Sequence, residues 1–188
     1  MKSDPGVDTV VLDIDGVIVD VSRSYRRAIV ETPRRVHDLE VNPEWIQLLK
    51  NAGGFNNDWD LTHALTLYGL CRRRERAPSP RRLAEEIEQR GGGLEAAREL
   101  LLQDLPPALR EELMEQWDPG ELRDVFQQLY LGRDLYEQLE GRSATLNEAG
   151  YIYDEPVLLQ ERTRHWLEEH VRIGILTGRP AAEAEIAL

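Results

Sequence analysis

The stretch Val10-Val11-Leu12-Asp13-Ile14-Asp15-Gly16-Val17-Ile18-Val19-Asp20 decides how this chain is read. A run of apolar, mostly β-branched residues leads straight into two carboxylates at alternate positions, then a glycine. The apolar run is that of a buried strand. In a regular strand Asp13 and Asp15 would face the same side. Ligands of open α/β sheets bind just beyond the carboxyl ends of the strands. Two acids held so close repel unless a cation or a shared proton lies between them. The pair therefore points to a hard, oxygen-preferring metal ion, and Mg2+ is the expectation. The plainer alternative is a strand that ends in an Asp-Gly turn.

A second stretch late in the chain, Val171-Arg172-Ile173-Gly174-Ile175-Leu176-Thr177-Gly178-Arg179-Pro180, is again an apolar strand, ending in a hydroxyl residue and a glycine. The Thr177 hydroxyl suits a phosphoryl oxygen, and the Gly178 N–H can join it. The alternative for Thr177 is a cap on a helix starting near Pro180. Arg179 reads as a solvated surface arginine and a weaker candidate.

These two stretches resemble motifs I and II of the haloacid dehalogenase (HAD) superfamily, in that superfamily's order. Asp13-Ile14-Asp15-Gly16-Val17-Ile18-Val19-Asp20 matches the pattern Asp-x-Asp-Gly-x-x-x-Asp. The segment from Leu49 to Thr62, with Gly53-Gly54-Phe55-Asn56-Asn57-Asp58-Trp59-Asp60, looks like the connection between the first two helices of a helical HAD cap. It also resembles a group of HAD hydrolases from cyanobacteria and haloarchaea. The resemblance is to subfamily I, with a C1-type helical cap, as in β-phosphoglucomutase and phosphoglycolate phosphatase.

The resemblance implies a phosphatase acting on a small phosphorylated metabolite through an aspartyl-phosphate intermediate. It implies Asp13 as the nucleophile and Asp15 as general acid, then general base. It places Mg2+ on the Asp13 carboxylate and the Asp15 backbone carbonyl, and phosphate on Thr177 and Gly178. Gly16 would permit the tight turn that leaves the strand. In relatives the cap segment carries substrate specificity, so Asn56, Asn57 and Asp58 are candidate substrate contacts. Turn formation and helix capping are the competing roles for all three. A phosphomutase would use the same aspartate pair. A catalytically incomplete binding or regulatory fragment is the rival from another class.

The chain has 188 residues, 41% of them hydrophobic, and a net charge of −12. That charge argues against nucleic-acid binding and against attachment to an anionic membrane. Lys2 and Lys50 are the only lysines, and the other cationic side chains are arginines. Such an acidic, lysine-poor surface suits a salt-loving host as well as a GC-rich genome. The single Cys71 excludes an internal disulfide and reads as a packing residue. No apolar run is long enough to span a membrane, and the N-terminus lacks the apolar stretch of a signal peptide. A cytoplasmic location is the expectation. His37, His63, His165 and His170 have no metal-ligand spacing, and His63 is expected on a helix surface.

The periodicities predict a strand over 8–15 and helices over 22–31, 43–50, 58–74, 81–90, 94–103, 107–116 and 119–139. Pro33 predicts an end to the first of these helices nearby. Gly91-Gly92-Gly93 reads as a flexible break and lacks the pattern of a phosphate loop. A short strand is expected near Tyr151-Ile152-Tyr153, a helix from 154 to 170, and a buried strand over 171–176. The expected class is α/β: a HAD-like Rossmannoid parallel-sheet core, incomplete here, with an inserted all-helical cap. Residues 1–20 and 154–188 would form the core, and 21–153 the cap. The family's motif III lysine or arginine and motif IV acids follow motif II, and no counterpart is marked within these residues. The expectation is the N-terminal part of a longer protein.

Overall fold

The structure, a computed structural model, describes residues 6–188. The chain forms two compact units. One comprises the residues up to Ser24 together with Ile152–Leu188, and the other Tyr25–Tyr151.

The first unit is built on two parallel strands, β1 (Thr9–Leu12) and β2 (Arg172–Ile175). Thr9 lies opposite Arg172 and Leu12 opposite Ile175. The strand predicted over 8–15 therefore stops at Leu12. Asp13 and Asp15 do not share a strand face, because the chain turns before reaching Asp15. The Ile14 carbonyl accepts from the amides of Ile18 (2.9 Å) and Val19 (3.1 Å), and the Gly16 amide donates to the Val19 carbonyl at 2.8 Å. Gly16 has φ +74°, a conformation that costs other residues about 1–2 kcal/mol. The reason for the loop is burial. Ile14, Ile18 and Val19 turn inward together and form a small core with Ala184 of α9 (Ala181–Ala187).

Residues 154–160 are not the start of a helix, as predicted. The Pro156 carbonyl accepts from the Asp20 amide at 2.8 Å, and the Leu158 amide donates to the Ile18 carbonyl at 2.7 Å. This extended passage satisfies backbone groups that the loop after β1 leaves open. Helix α8 begins only at Glu161 and ends at His170. In place of the strand expected near Tyr151, Tyr151–Asp154 forms a 3-10 turn. The strands are not buried as predicted: Val11 of β1 and Ile173 and Ile175 of β2 are exposed.

The second unit is helical: α1 (Tyr25–His37), α2 (Pro43–Asn51), α3 (Asp58–Arg73), α4 (Pro80–Gln89), α5 (Gly93–Leu102), α6 (Pro107–Gln116) and α7 (Pro119–Glu140). Proline near the start of α2, α4, α6 and α7 fits its preset φ and its missing N–H. Every residue from Leu61 to Cys71 is buried, so α3 is the central helix, enclosed on all sides. Its neighbours include α1, α2, α5, α6 and α7. His63, expected on a helix surface, is buried here with 7% exposure. Its backbone carbonyl accepts from the Trp117 indole at 2.9 Å.

Helix α1 runs through Pro33 rather than ending near it. Ala28, Ile29, Thr32 and Pro33 are all buried, and α1 packs against α7 and α3. Tertiary packing thus outweighs the local cost of proline, about 3 kcal/mol. Where the unit begins and ends, the Arg27 guanidinium lies 4.0 Å over the Tyr151 ring.

The glycine triplet is a tight crossing rather than a flexible break. Gly53, Gly54, Gly91, Gly92 and Gly93 all have positive φ. The Gly93 amide donates to the Gly53 carbonyl at 2.9 Å. A second close approach bends α7 at Gly132 (φ 75°, ψ 171°), whose absent Cβ would lie 2.2 Å from the Gly150 nitrogen.

Candidate active site

Parallel pairing of β1 and β2 brings the carboxyl ends of both strands side by side, and the Leu176 amide donates to the Leu12 carbonyl at 2.9 Å. An open cavity of about 530 Å³ lies there, lined by Val11, Leu12, Asp13, Leu176, Thr177 and Gly178. Three of the residues singled out from sequence, separated by most of the chain, thus share one concavity. Asp13 is exposed, and its Oδ1 accepts from the Ile14 amide at 2.7 Å. That bond fixes the carboxylate at the end of β1 and leaves its other oxygen for chemistry.

Thr177 is half-buried, and its hydroxyl oxygen accepts from the Arg179 amide at 3.2 Å. Helix α9 starts at Ala181 without a side-chain cap, so Thr177 closes a turn instead of capping that helix. Its own O–H donor stays available to an anion. Gly178 is exposed, and a side chain added there would meet nothing within 4 Å.

Asp15 is held by Arg179. The Arg179 Nε donates to Asp15 Oδ1 at 2.6 Å. Its two terminal nitrogens meet both oxygens of Glu155, at 2.9 and 3.0 Å. The Arg179 side chain is 1% exposed, that of Glu155 4%, and that of Asp15 37%. Sequence reasoning placed Arg179 on the solvated surface. The structure corrects this: the guanidinium is buried between two carboxylates, to which Nε and one terminal nitrogen donate. Ser24 is fully buried and its hydroxyl donates to Glu155. Neither Ser24 nor Glu155 was flagged by sequence. Both depend on the extended passage after Asp154, which periodicity alone reads as helix.

Asn56, Asn57 and Asp58 belong to the helical unit. Asn57 caps α3, its Oδ1 accepting from the Asp60 amide at 2.7 Å and its Nδ2 donating to Asp60 Oδ2 at 2.7 Å. Asp58 pairs with Lys50 at 2.8 Å. Asn56 is exposed. Trp59 packs within the unit, its indole donating to Gln127 at 3.2 Å and its ring covered by Arg123 at 4.3 Å.

Among the described residues no group of three or more His, Cys, Asp or Glu side chains is arranged to hold a metal. The carboxylate at the end of β1 is that of Asp13, exposed and lining the cavity. An oxygen donor of this kind fits Mg2+, which retains several waters and is commonly held through one or two carboxylates plus substrate phosphate. Among the described residues no helix is long and apolar enough to cross a membrane.

The architecture is α/β: a phosphatase-like fold with a small parallel sheet and a helical cap. Phosphatase Tt82 from Thermococcus thioreducens is similar to 95% of this chain, with TM-score 0.67 and 28% identity. A protein solved as a structural-genomics target aligns over 96% of the chain at TM-score 0.59 and 18% identity, a likeness of fold alone. The chain spans 66% and 65% of these two structures, a little under two thirds of each. No protein-family model matches it. In sequence, 64 residues are 48% identical to part of an imidazoleglycerol-phosphate dehydratase from Phytophthora nicotianae, covering 34% of this chain and 14% of that protein.

Proposed function

We propose that this chain carries the nucleophile of a Mg2+-dependent, HAD-type phosphatase that hydrolyses a small phosphorylated metabolite. The observation that carries the reading is the shared cavity of Asp13, Thr177 and Gly178, with Asp15 on the next turn of the chain. Similarity to a phosphatase over nearly the whole chain supports it.

In this reading the phosphoryl group sits in the cavity. The Thr177 hydroxyl and the Gly178 amide donate to its oxygens, and an Asp13 carboxylate oxygen attacks phosphorus in line with the leaving alcohol. Asp15 supplies a proton to that alcohol and later removes one from the hydrolytic water. Mg2+ on the Asp13 carboxylate and the Asp15 carbonyl would offset charge on the phosphoryl oxygens. Asn56 and Asp58 are the candidate contacts for the leaving portion, while Asn57 is committed to the cap of α3.

The test is phosphate release from a panel of phosphorylated metabolites, with Mg2+ or with chelator, for the chain and for Asp13→Asn. We expect Mg2+-dependent release that falls by roughly three orders of magnitude or more in Asp13→Asn, the scale seen when a catalytic nucleophile is removed. Release that is equal in both proteins would overturn the assignment.

A further inference from the structure

We propose that Arg179 and Glu155 form a buried latch that positions the Asp15 carboxylate for proton transfer. The proposal rests on the phosphatase reading above. The latch is over-determined for a structural ion pair. Arg179 is held at its main chain, where its amide donates to Thr177, and at its guanidinium, where one terminal nitrogen donates to Glu155 at 3.0 Å and the other lies 2.9 Å from the second Glu155 oxygen as an ion pair. Glu155 is itself tied to the buried Ser24 hydroxyl. All of this fixes a rigid guanidinium fork whose remaining edge, Nε, points at Asp15 Oδ1.

Burying an arginine and a glutamate to 1% and 4% exposure carries a desolvation cost that an apolar pair avoids. The arrangement makes sense if the third member must be aimed. Asp15 is 37% exposed and is the only one of the three carboxyl and guanidinium side chains that solvent or a ligand can reach.

The geometry divides the labour of the two Asp15 oxygens. Oδ1 accepts from a cation and cannot also carry a proton facing that N–H. A proton transferred by Asp15 would therefore pass through Oδ2. As the Asp13 oxygen bonds to phosphorus and the ester P–O bond breaks, Oδ2–H passes its proton to the departing oxygen, giving a neutral alcohol and phospho-Asp13. Water then attacks that phosphorus and gives its proton to Oδ2. The acyl-phosphate bond breaks, inorganic phosphate leaves, and both aspartates are restored.

The experiment compares the full chain with Glu155→Gln and Arg179→Lys on two substrates. p-Nitrophenyl phosphate has a leaving group that needs no proton, whereas a simple alkyl phosphate does. Loss of aim should lower kcat on the alkyl ester roughly 30- to 100-fold, part of the range general-acid catalysis supplies, with KM little changed. On the aryl ester the loss should stay below about threefold. Equal losses on the two substrates, or none, would overturn the positioning role. A readout independent of turnover is exchange of the Arg179 Nε–H by NMR. It should be protected in the wild-type chain and become fast in Asp15→Ala. Rapid exchange in the folded wild type overturns the latch itself. A wild-type chain that releases no phosphate from either ester, while its Nε–H is protected in this Asp15-dependent way, supports the latch and overturns the phosphatase reading instead.

Discussion

Gly92 crosses Gly53 so closely that a methyl group on Gly92 would sit 2.4 Å from the Gly53 carbonyl oxygen. On the other side of the crossing, a methyl group on Gly54 would lie 2.5 Å from the Gly93 nitrogen. Two glycine runs distant in sequence thus fasten the end of α2 and the loop bearing Asn56 to the start of α5. Backbone meets backbone there, so no side chain can move aside to relieve a substitution.

Gly92→Ala is expected to destabilise the helical unit by about 2–4 kcal/mol, from overpacking added to a φ of +84°. Gly91→Ala is the control. Its φ is +92°, but nothing lies within 4 Å, so only the backbone cost of about 1–2 kcal/mol applies. Urea midpoints for the two variants measure the difference, and equal shifts would contradict the crossing.

His63 is expected to make the helical unit acid-sensitive. Burial is the main cause holding its pKa below 6.5, with Arg123 adding to it and Asp60 and a hydrogen bond at Pro119 opposing it. The unfolded chain then binds a proton more readily than the folded one. The stability due to neutral His63 is full above about pH 6.5 and is lost as pH falls below that value. Thermal unfolding should occur several degrees lower at pH 5.5 than at pH 7.5, and His63→Gln should shrink that gap. A gap unchanged in the variant would assign the effect elsewhere.

Cys71 should be chemically silent in the folded protein. It has 0% exposure, and burial pushes its thiol up to about 11. The thiolate is the reactive form. Ellman's reagent at pH 8 should therefore label it only after denaturant is added. Stoichiometric labelling of the native chain would contradict the packing of α3.

Gln128 anchors the segment after α7. Its Oε1 accepts from the Thr145 amide (2.7 Å), the Thr145 hydroxyl (3.0 Å) and the Leu146 amide (2.9 Å), and its side chain is buried. Gln128→Met keeps the bulk and removes the acceptor, leaving two part-buried amides unpaired at about 1–3 kcal/mol each. Limited proteolysis should cut near 142–147 in the variant well before the wild type. Identical digestion patterns would show that other contacts hold the segment.

Much of the helical unit was legible because its signals are local. The expected helices at 43–50, 107–116 and 119–139 correspond to α2, α6 and α7 within one or two residues, since proline marks each start. The strand pair and the α/β class were legible from two apolar runs with polar ends. The failures share a cause. Pro33 is carried through a helix, His63 is buried, and 155–160 is extended, because distant partners decide each case. The same holds at the candidate site. Asp13, Thr177 and Gly178 announce themselves by residue type at strand ends. Glu155 and the buried guanidinium of Arg179 become meaningful only once the chain passing Ile18–Asp20 brings carboxylates to them.

The contact of Arg27 with Tyr151 bears on the order in which the molecule assembles. Pairing Thr9 with Arg172 in an unstructured chain means closing a loop over most of its length, an entropic burden that grows with loop size and slows such contacts. Helices α1 to α7 pack on one another, and once they have packed, Arg27 and Tyr151 near the two ends of their unit already touch. The remaining search is then between two short flanking segments. The strands carrying Asp13 and Thr177 would be the last to find each other, so the pocket they line should mature after the helices in any time-resolved refolding experiment.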